Sequence, residues 1–492
     1  MKKYIFFVTN QEHLLNSAIR LYENKIAEPI IWLGDDRLYE KAKKVFKKNT
    51  FSDLDLKHRN YENLDYSYNG ELNTFFKSQN YYRAKDICLK MMDRLDLYGT
   101  FSRIDREVYF HNVLLFFLKH INDKQPDVLI ANEAPHDFVK YLIYEICLYK
   151  KIPCYKFNNW TLLPLLFIVN LENHQLIPFN QKTFGKFGSL LNSKIEDWIK
   201  LISKDNYEIS YMAKQRKSSS ISKKINRFFN KGINIIYRDL KHNLGMRIKN
   251  KYSPINPYRL NLFTRLKIKK KRKSNLLKSL IKNTDKLNLQ NTEYVYFPLH
   301  FEPERTTNPD GGYFHDQFIA IKSLRKIVPS SIAIFVKEHP SQIFYSGKGS
   351  RGRSSLIYSL IKKIENTKIV STEVDTIDLI KNSSLVATIS GTVAIEASSL
   401  GRHSIVFGNP WYAGCPNIFS YSDHITYENI ISQKIVAPKK IINFFINLKN
   451  EYSFLSFQNQ SQKIHNHEFN NDEFNQIQNE SVYMALKKIM EL

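Results

Sequence analysis

The amino-acid sequence predicts an α/β protein built from two halves, each a parallel sheet with covering helices. Three observations carry this. Short apolar runs alternate with amphipathic stretches of helical period, the pattern of parallel βαβ units. The alternation occurs twice, before residue 213 and again from residue 291. Between the two lies a stretch of different composition: residues 214–273 hold 20 Lys or Arg and one acid, Asp239.

The elements follow in order. "YIFFVTN" is a strand, because its apolar run stops well short of the roughly 7–15 residues of a secretory leader's core. "QEHLLNSAIRLYENK" is an amphipathic helix and "PIIWLG" the next strand. The helix around "VYFHNVLLFFLKHIN" leads to the strand "DVLIANE", the helix "HDFVKYLIYEICLYK" and the strand "IPCYKF". "LPLLFIVN" reads as either a strand or a buried turn. From residue 291, "EYVYFPL", "SIAIFV", "KIVST", "LVATIS" and "HSIVFG" are strands separated by helical stretches. "PKKIINFFINLKNEY" and "ESVYMALKKIMEL" are helices of the tail. The expected divisions are an N-terminal domain at 1–212, a basic helical insertion or linker at 213–290, a C-terminal domain at 291–424, and helices at 425–492 that pack back on the N-terminal domain.

Bulk properties narrow the classes. A chain of 492 residues exceeds one ordinary core. Its 43% hydrophobic and 13% aromatic content excludes a largely disordered chain. The four cysteines, Cys88, Cys147, Cys154 and Cys415, form no CxxC pair and read as reduced thiols, not as a disulfide framework or zinc site. No window approaches the roughly 18 apolar residues of a spanning helix. A cytoplasmic protein is expected. The net charge is +26, of which +19 falls in residues 214–273. Nucleic acid, anionic membrane and anionic small substrates all suit such charge. Bulky apolar residues interleave with the bases, which suits an anionic membrane surface contacted through 213–285. No RRM or KH pattern accompanies them, so no nucleic-acid partner is expected. A solvated basic linker is the plain alternative.

The candidate chemistry sits where strands end, since ligands of such sheets bind outside the carboxyl ends of the strands. Those ends carry Glu133 and His136; His300, Glu302 and Arg305; Lys337, His339 and Pro340; and Ser390, Gly391 and Thr392. Any one set is ordinary for a loop, but their recurrence at successive strand ends favours a site in a cleft between two facing domains. At "TISGTVAIEASSLG", Gly391 lets an anion approach a strand-to-helix turn whose N–H groups suit phosphate. Glu396 lies one turn further on, placed for ribose hydroxyls. A simple N-cap is the competing explanation. Arg305 suits a carboxylate or phosphate, held bidentately, and Arg305 or Glu302 suits a sugar. Glu133 is the N-terminal candidate for base or nucleophile, with His136 beside it, and Asp137 caps the next helix. Strand alternation turns Glu338 away from the cleft. HExxH, GxSxG, Walker and GxGxxG patterns are absent, so neither a metal nor a cofactor is expected.

"YVYFPLHFEPERTTNPDGGYFHDQ", "VKEHPSQ", "RSSLIYSLI" and "VATISGTVAIEASSLGRHSIVFGNPWYAGCPNIF" resemble the C-terminal half of bacterial capsule polysaccharide biosynthesis proteins, a family that includes capsule-type β-Kdo transferases. "PDVLIANEAPHDFVKYLIYEICLYKKIPCY" is similar to its N-terminal segment. The basic segment 213–285 and the tail lie outside this resemblance. It implies a GT-B-like fold of two Rossmann-like domains and a metal-independent glycosyltransferase. Its substrates would be a nucleotide sugar and a polysaccharide or lipid-linked acceptor, and its place the inner face of the cytoplasmic membrane. His339-Pro340 matches an element of transferases that use CMP-activated acidic sugars, and Ser390 with Thr392 matches one near the donor phosphate. Lys337 and His339 would then meet the nucleotide and its phosphate. The loop 300–312 departs from the family's shorter loops, which leaves the donor sugar open. An epimerase, a polyol-phosphate transferase and a non-catalytic assembly scaffold are the other uses of such a fold.

Overall fold

In the computed structural model, the chain is described except at residues 9, 54–55, 57–71, 161, 180–183, 203–220, 250–251, 288, 290–291, 305–306, 345–348, 459–461, 463–465 and 470, and by backbone alone at 221–233, 344 and 350. It divides into two compact units. Unit 1 is residues 1–193, 249–257 and 446–492; unit 2 is residues 194–248 and 258–445.

Unit 1 is a sheet of β1 (Lys2–Val8), β2 (Ala27–Gly34), β3 (Thr50–Ser52), β4 (Val128–Ala131), β5 (Cys154–Asn159), β6 (Leu165–Asn170), β7 (Leu176–Ile177) and β14 (Ser453–Leu455). The strand order is β14-β6-β5-β4-β1-β2-β3, with β7 on β6. β3, β2, β1, β4 and β5 are parallel. β6, β7 and β14 join antiparallel, so "LPLLFIVN" is a strand. Residues of β1 alternate between two cores: Ile5 and Phe7 face one, Tyr4, Phe6 and Val8 the other. A strand apolar on both faces must be covered on both, which excludes a one-sided antiparallel sheet. The helices α1 (Glu12–Glu23), α2 (Gln79–Leu95), α3 (Arg103–Lys124) and α4 (Phe138–Tyr149) supply cover. α3 begins in a capping box of Ser102 and Asp105.

Unit 2 is a six-stranded sheet of β8 (Tyr294–Pro298), β9 (Ala333–Lys337), β10 (Thr367–Val370), β11 (Leu385–Thr388), β12 (His403–Val406) and β13 (Ile418–Ser420). It is parallel throughout, in the order β10-β9-β8-β11-β12-β13. This is the Rossmann-like doubly wound order, with its switch point between β8 and β11. Val295 and Phe297 of β8 enter one core, Tyr294 and Tyr296 the other. The basic segment forms helices α5 (Ile221–Ile248) and α6 (Leu262–Asn283). α6 is more than a linker, because Leu276 and Leu280 are buried in the same core as Val295. The remaining elements that matter below are α7 (Gln317–Ile327), α8 (Thr376–Asn382), α9 (Val393–Ser399) and, in unit 1, α10 (Asp472–Glu491). α10 closes the tail onto unit 1: Val482, Ala485, Leu486 and Ile489 share a core with Leu14 and Ala18 of α1.

Candidate functional site

The switch point of unit 2 brings His300, His339, Ser390, Gly391 and Thr392 to neighbouring strand ends. His300 follows β8. Its main-chain N–H donates to Gln317 Oε1 at 2.8 Å, and Gln317 Nε2 returns bonds to the His300 carbonyl at 3.2 Å and Glu302 Oε1 at 2.9 Å. The Ser390 N–H donates to His300 Nε2 at 3.4 Å, and Thr388 Oγ1 lies 3.1 Å from the same nitrogen. Nε2 therefore accepts, and the ring proton sits on Nδ1. Burial, then the neighbouring His339 and Arg353 charges, holds the His300 pKa down at about 3.

His339 follows β9. Its Nδ1 accepts from the Ser341 N–H at 3.1 Å, which leaves the ring proton on Nε2. Burial, followed by the Arg353 and Lys337 charges, lowers its pKa to about 4. Two neutral imidazoles thus stand at adjacent strand ends near neutral pH. A neutral imidazole offers one N–H to an anionic oxygen, and an anion bound there would favour the charged form.

Gly391 is required by close approach. A Cβ there would lie 2.8 Å from Thr388 Oγ1 and 3.3 Å from His300 Cε1. Its carbonyl accepts from Tyr412 Oη at 2.5 Å. Thr392 is exposed and its hydroxyl makes no cap bond; it lies 3.4 Å from Glu396 Oε1 instead. Glu396 is buried, and burial pushes its carboxyl up to about 7 against the lowering effect of Thr392.

Several expected residues turn elsewhere, for reasons set by strand alternation. The Lys337 ammonium donates to the Val374 carbonyl at 2.5 Å and Thr376 Oγ1 at 3.0 Å, bracing the start of α8. Glu302 is turned inward to Gln317, and burial raises its pKa. Glu338, one residue on from Lys337, points to the opposite face. Its carboxylate takes Arg353 Nε at 3.0 Å, Arg353 Nη2 at 3.1 Å and Tyr358 Oη at 2.6 Å. Arg353 also donates to the His300 carbonyl at 2.6 Å, and Glu338 Oε1 accepts the His339 N–H at 2.7 Å. One buried ion pair therefore holds the main chain of both histidines. Pro340 opens the short helix Pro340–Phe344, within which Gln342 clamps the 300–312 loop through the Glu302 N–H and carbonyl at 2.8 and 2.9 Å. Arg305 lies outside the described residues.

In unit 1, His136 Nδ1 bonds to the Ala134 carbonyl at 3.0 Å and lies 3.9 Å from Glu133 Oε1. Asp137 caps α4 by accepting the Lys140 N–H at 3.0 Å. Glu133 and His136 are half-buried side chains.

Sequence reasoning missed Gln317, Gln342, Arg353, Tyr358 and Thr388, whereas Tyr412 stands in the polar stretch 409–412 that follows the strand "HSIVFG". Gln342 stands within "HPSQ" and could have been weighed with it. Arg353 offers no local signal, because its partner lies across a loop. Among the described residues no group of three or more His, Cys, Asp or Glu could hold a metal, and no helix is long and apolar enough to cross a membrane.

Residues 230–416 match the family described as capsule polysaccharide biosynthesis protein. The resemblance read from the strand ends of unit 2 is borne out over that span. The match begins inside α5, which corrects the expectation that the whole basic segment lies outside it; α6 belongs to the core of unit 2. No curated protein matches the chain in sequence. Solved structures similar to it include the β-Kdo 2,7 transferase KpsC of Thermosulfurimonas dismutans, at 10% identity and TM-score 0.26, covering 71% of this chain and 97% of that one. The UDP-GlcNAc 2-epimerase of Methanocaldococcus jannaschii is similar at 14% identity and TM-score 0.22, covering 96% and 100%. A glycosyltransferase of Rickettsia africae is similar at 11% identity and TM-score 0.21, covering 100% and 98%. TM-scores this low carry no argument about activity.

Proposed function

We propose that the protein is a metal-independent glycosyltransferase of surface polysaccharide synthesis. It moves a sugar from a nucleotide-activated donor, an acidic sugar of the CMP-Kdo kind, to a growing capsular polysaccharide or its lipid-linked acceptor. The observation that carries this reading is the pair of neutral imidazoles, His300 and His339, beside Ser390, Gly391 and Thr392 at the switch point of a Rossmann-like sheet. Nucleotides bind at such switch points. The match of residues 230–416 to the capsule family agrees with it.

In this reading the His339 Nε2–H and the turn at 390–392 receive the donor phosphate. Hydrogen bonds aimed at the leaving phosphate stabilise the charge that develops as the glycosidic bond breaks. Glu396, Thr392 and Tyr412 flank the ribose. Glu133 takes the acceptor's proton or forms the glycosyl bond, and His136 supports it. The acceptor's place puts the protein at the inner face of the cytoplasmic membrane, contacted through the basic segment.

The test is thermal stabilisation against CMP-, UDP-, GDP- and CDP-linked sugars, followed by product analysis with the donor that binds. A donor at 100 times its Kd adds about 2.7 kcal/mol. With that donor, His339→Ala should slow transfer on the order of 10²-fold. Transfer at the parent rate overturns the assignment, and an epimerised nucleotide sugar as product replaces it with an isomerase.

A further inference from the structure

The helix α5 has one face fastened to its own unit and another left bare. The fastened face carries Asp239 and Asn243. Asp239 is buried and pairs with Arg259, at 3.1 Å, and with Arg265 of α6. Asn243 brackets Arg259, accepting its N–H at 2.7 Å and donating to its carbonyl at 2.6 Å. Asp239 is the one acid of residues 214–273, so that stretch presents its remaining charge as positive.

The bare face carries Ile236, Leu240, Leu244 and Ile248, with Tyr237 beside them, at exposures of 41, 65, 60, 74 and 66%. A spacing of four keeps these side chains on one side of the helix over three turns, roughly 18 Å. Arg238, Lys241, Arg247 and Lys249 are exposed around them. Scattered exposed apolar residues are ordinary, but of the 25 large exposed apolar residues among those described, 10 fall between residues 236 and 281. An apolar stripe edged by bases is complementary to the interface of an anionic bilayer, where apolar side chains enter the acyl boundary and bases meet headgroup phosphates. Bases alone would suit RNA equally; the continuous stripe favours lipid.

We infer that the Ile236–Leu240–Leu244–Ile248 stripe of α5 is a membrane-docking surface that lies in the plane of an anionic lipid interface. It deepens the membrane attachment in the proposed function, and rests on that reading only in the choice of a membrane as partner. The pairing of Asp239 with Arg259 and Arg265 holds α5 so that the stripe faces outward.

The experiment is flotation of the full chain with vesicles of phosphatidylcholine, with and without phosphatidylglycerol. The protein should float with the anionic vesicles and not with the neutral ones, and salt should weaken the binding. The double variant Leu240→Glu/Leu244→Glu should lose about tenfold or more in vesicle partitioning. These side chains are exposed, so its melting temperature and its stabilisation by nucleotide sugars should match the parent. Undiminished flotation of the variant, or no flotation of the parent, overturns the surface and leaves the glycosyltransferase reading standing. Conversion of a dimeric parent to a monomer, with flotation unchanged, assigns the stripe to a second copy instead. Flotation unchanged while both proteins bind polyuridylate assigns the segment to RNA.

Discussion

The two units share the strand order third-second-first-fourth-fifth over their parallel strands, yet treat the switch point in opposite ways. In unit 1 the ends of β1 and β4 are sealed by amides. Asn132 Nδ2 donates to Gln11 Oε1 at 3.1 Å, Gln11 donates to the Gln458 carbonyl, and Gln458 Nε2 donates to the Asn132 carbonyl at 3.1 Å. Gln462 then accepts the Gln458 N–H at 2.8 Å and donates to the Trp160 and Leu163 carbonyls at 2.9 and 3.1 Å. These side chains are all buried. In unit 2 the corresponding ends of β8 and β11, with the end of β9 beside them, keep two imidazoles and a hydroxyl turn partly exposed. The same topology therefore makes a closed polar seam in one unit and an open polar site in the other. Satisfied neutral amides are a cheap seal, whereas titratable groups held half-open need a support of their own, here Arg353 and Glu338.

That contrast can be broken most forcefully at the support. Arg353→Met leaves the Glu338 carboxylate buried without its cation. Removing one partner of a buried pair costs about 3–5 kcal/mol. Urea unfolding should show that loss, and nucleotide-sugar binding should fall with it because the His300 carbonyl is released. Full nucleotide affinity in a folded Arg353→Met protein would show that the imidazoles do not need this support.

Next in size is a pH effect set by His300, His339 and Glu396 of unit 2. His300 and His339 titrate at about 3 and about 4 in the folded protein against an ordinary 6.5. Their contribution is present above pH 6.5 and is lost as pH falls toward 4. Glu396 titrates at about 7 against an ordinary 4.5, so its contribution is present below pH 4.5 and is lost as pH rises through 7. Between pH 4.5 and 6.5 the unfolded state gains two protons at the histidines and releases one at Glu396. Glu396→Gln should therefore steepen the acid-side loss of stability by about 1.4 kcal/mol per pH unit, read by urea unfolding across that range. An unchanged slope would mean that Glu396 is ionised in the fold.

The smallest effect belongs to unit 1. Gln458→Ala removes a donor to the Asn132 carbonyl and should cost about 1–2 kcal/mol of stability. Nucleotide-sugar affinity should not change. A loss of affinity would show that the amide seam serves the donor site as well.

The strands of both sheets were legible because an apolar run buried on two faces has few alternatives. The strand ends at His300, His339 and Ser390 were legible because a polar cluster must follow where each run stops. The bare face of α5 was half legible: the basic composition stands in the sequence, but only the bonds of Asp239 to Arg259 and Arg265 decide which face is left outward. The direction of each side chain at those ends was not legible beyond strand period. Alternation turned Glu338 away from its neighbour, but the sequence could not say toward what. That answer needed Arg353 and Tyr358, which reach Glu338 from a loop and a helix that only folding brings near. By itself, then, the sequence determined the α/β class, the repetition of the sheet and the places where chemistry could sit, since these follow from local burial and chain stiffness. The tertiary structure alone decided that Lys337 braces α8, that Glu302 turns to Gln317 while Glu396 is buried, and that one unit's switch point is sealed while the other's is open. Those outcomes depend on long-range hydrogen-bond partners and on desolvation, which no local stretch of chain encodes.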